Sequence, residues 1–136
     1  MTVLYPERFK ESAAAGFDGT FEWDFLIEAF KPTKIQPMDL DCLVERRRRF
    51  LAFETKDGDV PIPQGQLITL ESLVMTGFFT VVILRGKTAD AIQGWEVWYL
   101  GKQSNSVQKR WHDGNAADLT AFVKRWFDWA SRTPLK

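Results

Sequence analysis

The 136-residue chain has a single cysteine, Cys42, and a single histidine, His112. One cysteine excludes a disulfide framework. Without a Cys or His partner at ligand spacing, a zinc site is not expected, and a Cys–His catalytic pair is not indicated. Cys42 is expected as a small buried filler. No stretch approaches the 18 apolar residues of a membrane span, and the N-terminus lacks a basic flank followed by an apolar segment. The reading is a protein without membrane association, working in the cytoplasm of a bacterial or phage-infected cell. A surplus of one charge is missing as well, since 18 Lys and Arg balance 18 Asp and Glu. That balance argues against coating nucleic acid by global attraction, but not against an acidic centre with a basic rim. Neither a phosphate-binding Gly-Lys loop nor a dinucleotide glycine fingerprint is present.

What the chain does have is the composition of a globular domain, 45% hydrophobic and 26% charged, with 11 Phe and 6 Trp. Its length fits one domain spanning residues 1–136. Residues 1–21 are weakly patterned and read as a short helix or ordered arm. Trp23, Leu26, Ile27 and Phe30 then give a helical stripe that Pro32 stops. Residues 38–45 alternate, with Met38, Leu40 and Cys42 on one side and Asp39, Asp41 and Leu43 on the other. The run Arg46-Arg47-Arg48-Arg49 separates them from Phe50-Leu51-Ala52-Phe53-Glu54-Thr55-Lys56, so the pattern predicts two antiparallel strands joined by an arginine hairpin. After a Gly- and Pro-containing loop, a helix is expected from Gln64 to about Thr76, with Leu67, Leu70, Leu73 and Val74 inward. Residues 78–84 suit a central strand covered on both faces, and residues 95–100 a further strand. The polar stretch 101–114 reads as a solvated or substrate-facing loop. Asn115 and Asp118 form a box-like helix start, and Leu119, Phe122, Val123, Trp126 and Phe127 trace the buried side of the last helix. The class is α/β, with strand pairing unresolved by the sequence.

One constellation points to chemistry. Glu54 and Lys56, two apart on a strand, leave the same face, and Asp41 can approach the end of that strand from its neighbour. Two carboxylates offer hard oxygen ligands to Mg²⁺ or Mn²⁺, with the Thr55 carbonyl as a further donor. Such a metal can orient and acidify water for attack on a phosphodiester, while the lysine steadies the developing charge. Asp39 is the rival of Asp41 as first acid. A helix carboxylate can assist; Glu22, Asp24 and Glu28 are available, and Glu22 is favoured because Glu28 falls beside the apolar stripe. The basic hairpin positions Arg47 and Arg48, with Lys102, Lys109 and Arg110, are candidates for gripping DNA phosphates. The bland counterpart is a solvated turn and loop. The aromatic residues fall mostly at periodic core positions, so no base-stacking role is assigned to them.

Asp41, twelve intervening residues and then Glu54-Thr55-Lys56 resemble the PD-(D/E)XK nuclease superfamily, which includes restriction endonucleases, Holliday junction resolvases and VRR-NUC domains. The similarity covers roughly residues 20–85, leaving 86–136 as a strand and helix extension. The resemblance implies a restriction endonuclease-like central mixed sheet flanked by helices and Mg²⁺-dependent hydrolysis of DNA, on branched or otherwise structured substrates. It also implies a glutamine near the metal from the following helix, where Gln64 and Gln66 stand and Gln66 is favoured, and it supports Glu22 as an acid from the preceding helix. The family's proline is displaced here: Pro37 precedes Asp39 by two residues and Asp41 by four, so the first acid stays open. A homodimer is expected, because one small domain offers little surface for a duplex. The alternatives are a catalytically inactive nuclease-fold module that binds DNA or a protein, and an inhibitory partner protein of phage origin.

Overall fold

The computed structural model describes residues 21–133. Most of the arm expected over residues 1–21 therefore lies outside the described residues. The chain forms two compact units, one up to Asp39 and one from Leu40 onward.

In the first unit, the helical stripe around Ile27 becomes a 3-10 helix, Asp24–Phe30, without a buried residue. Phe21, Trp23 and Phe25 are all exposed, and Phe21 and Trp23 have their ring centroids 4.6 Å apart. The apolar period predicts a helix, but this segment adopts the tighter turn and keeps its aromatic side chains largely on the surface.

The second unit is a five-stranded mixed sheet in chain order, β1 (Cys42–Arg46), β2 (Arg49–Lys56), β3 (Phe79–Arg85), β4 (Gly94–Leu100) and β5 (Val107–Asp113). Helix α1 (Gln64–Met75) joins β2 to β3, and α2 (Ala116–Arg132) follows β5. The β2–β3 pair is parallel and the other three pairs are antiparallel. Only the parallel pair needs a long crossover, which α1 supplies. Alternation sorts the sheet into two faces. Leu51, Phe53, Val82, Trp95 and Val97 form one core with Trp126 and Ala130 of α2. Ala52, Val81, Ile83 and Trp98 occupy the other face, against which α1 packs with its buried Leu70 and Val74. As expected for a central strand, β3 buries Val81, Val82 and Ile83 on alternating sides.

The hairpin is tighter than the arginine run suggested. Arg46 and Arg49 belong to the strands, leaving a two-residue turn of Arg47 and Arg48, at φ 52° and 66°. Two positive φ values in a two-residue loop match the twist of the flanking strands, although Asn-Gly is the usual solution. The arginines around the turn find partners at the end of α2. Arg46 Nε donates to Ser131 Oγ (2.8 Å), Arg47 Nη1 to the Ser131 carbonyl (2.8 Å) and Arg49 Nη1 to the Thr133 carbonyl (2.6 Å). Arg46 and Arg49 also lie over the rings of Phe127 and Trp129. Cationic donors at the carbonyl end of a helix meet its negative pole. The other end of α2 carries both arms of the capping box between Asn115 and Asp118.

The segment expected as a loop over 101–114 is corrected: its second half is the edge strand β5. Its residues are largely exposed, so the apolar alternation that marks a half-buried strand is absent. Charges such as Lys109 and Arg110 suit a sheet edge, where they discourage pairing with another chain.

Candidate functional site

Asp41, Glu54, Lys56 and Gln66 come together at the end of β2 where it meets the start of α1. The pairing of Cys42 with Phe53 brings Asp41, one residue before β1, level with the Glu54 end of β2. The Asp41 carboxylate accepts from the Thr55 backbone N–H at 2.8 Å and from Thr55 Oγ1 at 2.9 Å, both through Oδ2. Glu54 is 4% exposed. Its Oε1 accepts from Lys56 Nζ and from Gln66 Nε2, each at 3.2 Å. Its Oε2 is buried with no protein partner, as is Gln66 Oε1. Burial raises the Glu54 pKa above the ordinary 4.5; the nearby Asp41 charge adds to the rise, while Lys56 and Gln66 oppose it.

This arrangement is costly for a structural residue. A buried carboxylate with one oxygen unsatisfied forfeits hydration without full repayment from hydrogen bonds. A cation shared with Asp41 would satisfy that oxygen. The donors at hand are all hard oxygens, from two carboxylates, the Thr55 carbonyl and the Gln66 amide, which fits Mg²⁺ or Mn²⁺ better than zinc. Among the described residues, no group of three or more His, Cys, Asp or Glu side chains is placed to hold a metal ion. The set is thus limited to two carboxylates, a number Mg²⁺ accepts when waters complete its shell.

The remaining candidates are dispersed. Glu22 and Asp39 belong to the first unit, where both line one cleft of about 320 Å³ with Asp24. Arg47, Arg48 and Lys102 stand at the end of the sheet away from Glu54 and Lys56, since β2 begins beside the arginine turn and β4 ends before Lys102. Glu54 is six positions along the chain from Arg48, roughly 20 Å at the usual strand rise. These three residues therefore do not form a rim around the carboxylates. Lys109 sits 4.1 Å from the Trp98 ring centroid and 3.8 Å from Glu71 of α1, and Arg110 is on the opposite face of β5. His112 stacks on Trp95, on the α2 side of the sheet. Burial, and then the nearby Asp41 charge, push the Cys42 thiol's pKa up, opposite to the shift that activates a thiol.

Two residues near the site escaped the sequence reading. Arg85 ends β3 directly beside Lys56. The signal was available, because an apolar strand ending in a polar residue also describes Phe50 to Glu54, and parallel neighbours deliver such ends together. Trp111 lies on the edge strand in the same cross-sheet row as Glu54, through Ile83 and Glu96. It hid in a segment without strand periodicity. Compared with known proteins, the chain matches no family model, no curated protein and no solved structure.

Proposed function

We propose that the sheet unit is a metal-dependent nuclease that hydrolyses phosphodiester bonds in DNA, with a restriction endonuclease-like arrangement of its hairpin, helix and parallel strand. The observation that carries this reading is Glu54: a buried carboxylate with Lys56 and Gln66 on one oxygen, nothing on the other, and Asp41 close enough to repel it. Asp41 and Glu54 would hold Mg²⁺ or Mn²⁺ with the Thr55 carbonyl. When bound, the cation supplies Lewis acidity and a water of lowered pKa. Thr55 fixes the orientation of Asp41 through two hydrogen bonds, and Gln66 fixes that of Glu54. The Lys56 ammonium would orient the attacking water and stabilise charge on the scissile phosphate. A homodimer acting on both strands remains part of the proposal.

The second reading, a nuclease-fold module that binds DNA or a protein without cutting, is favoured by one observation, the limit of two carboxylates at the site. Linear, nicked, single-stranded and four-way-junction DNA incubated with the protein in Mg²⁺ or Mn²⁺ separates the two. Cutting is expected, abolished by EDTA and lowered about 100-fold or more in Glu54→Ala and Lys56→Ala, the scale of losing one transition-state contact. Retarded bands without any cleavage would reject hydrolysis in favour of the binding module.

A further inference from the structure

Trp111 is 47% exposed, yet it is held in place twice. Its indole N–H donates to Asp113 Oδ1 at 2.9 Å. Its six-membered ring sits against Gly94 so closely that a Cβ there would lie 2.4 Å from Cζ2. A tryptophan that only filled space would be buried, and one that only decorated an edge strand would not be clamped. The register puts the indole on the Glu54 face of the sheet: Trp111 shares a row with Glu54, and Gly94 beneath its ring shares the next row with Arg85 and Lys56. Gly94 is two strands from Lys56, about 10 Å at normal strand spacing, and Arg85 stands between them.

We propose that Trp111 is a stacking platform for an unpaired base of DNA whose backbone crosses Arg85 to reach Glu54 and Lys56. The site then takes single-stranded DNA or a frayed end rather than intact duplex. A paired base has its faces covered by its neighbours, whereas an unpaired one can lie on an indole, and this stacking tolerates any sequence. The inference rests on the nuclease reading for its substrate and narrows it.

The test is equilibrium binding, with Ca²⁺ in place of Mg²⁺, to a single strand carrying 2-aminopurine and to a blunt duplex. The parent is compared with Trp111→Leu, which keeps apolar bulk over Gly94, and Trp111→Phe, which keeps an aromatic face. The parent should prefer the single strand and quench the 2-aminopurine. Trp111→Leu should lose roughly tenfold in single-strand affinity, the scale of one base–aromatic stack, and Trp111→Phe should recover most of it, with duplex affinity unchanged. Equal losses on both DNAs, no loss in Trp111→Leu, a Trp111→Phe no better than Trp111→Leu, or no single-strand binding by the parent would each overturn the platform. Cleavage in Mg²⁺ by the same proteins separates the two claims. Duplex cutting indifferent to Trp111 would reject the platform and leave the nuclease. Trp111-dependent binding without any cutting would keep the platform and reject hydrolysis.

Discussion

Glu54 carries a conflict that its neighbours only partly relieve. Lys56 and Gln66 share one of its oxygens, while burial and Asp41 disfavour its charge. Because its pKa in the fold lies above the unfolded value, the native state keeps a proton that the unfolded chain releases between those two values. This contribution to stability is therefore complete below about pH 4.5 and is lost as pH rises through the raised pKa. Urea unfolding of the metal-free protein across that window should show the decline. Glu54→Gln should flatten it and leave the protein more stable than the parent at neutral pH, although inactive. A stability profile identical in parent and variant would refute the buried-charge account. Asp41, Glu54 and Lys56 were legible in the sequence through local rules: side chains two apart on a strand share a face, and a hairpin brings its two strand ends together; Gln66 came only from the resemblance. Glu22 and Asp39 were not resolvable in the same way, since no spacing rule distinguishes Asp39 from Asp41 as the acid preceding a strand, or one helix-start acid from another.

The hairpin shows how an element can be read correctly while the partners of its side chains stay hidden. Four consecutive arginines mark a turn, and the turn exists, but Arg46, Arg47 and Arg49 spend their donors on Ser131 and Thr133. That partnership spans most of the unit, so nothing near residue 47 announces it. Arg48 shares with Arg47 a positive φ that glycine adopts without strain, but it takes no part in the clasp on Ser131 and Thr133. Its backbone N–H donates to Glu45 Oε2, a bond that draws on the main chain of residue 48 and survives substitution there. Arg48→Gly should stabilise the protein by about 1 kcal/mol, measured by urea unfolding, and leave DNA affinity unchanged. A clear fall in affinity would return Arg48 to the phosphate-gripping role. The edge strand β5 was missed for a related reason: solvent on much of its surface erases the alternation by which strands are recognised, whereas β3 stands out as a continuous apolar run and α2 displays its helical period plainly.

At the scale of the molecule, the sequence indicated the α/β class but not the order of strands, because pairing is decided by contacts between distant segments. The chain forms two compact units, one up to Asp39 and one from Leu40 onward, and no glycine- or serine-rich linker marks the passage between them in the sequence. Among the described residues no helix is long and apolar enough to cross a membrane. The acidic cluster and the arginine clasp differ in how far apart their members lie. Asp41 to Gln66 is a single hairpin with its following helix, while Arg47 and Ser131 are separated by 84 positions. Joining such distant segments carries a larger loop-closure cost than closing a hairpin. The clasp should consequently be a late event on the folding path, absent from the transition state. Arg47→Ala should then cost about 1 kcal/mol, appearing almost wholly as faster unfolding with the refolding limb of the chevron unmoved. The arginine turn would in that case act as a latch on the lifetime of the folded sheet, one that the folding reaction itself never waits for.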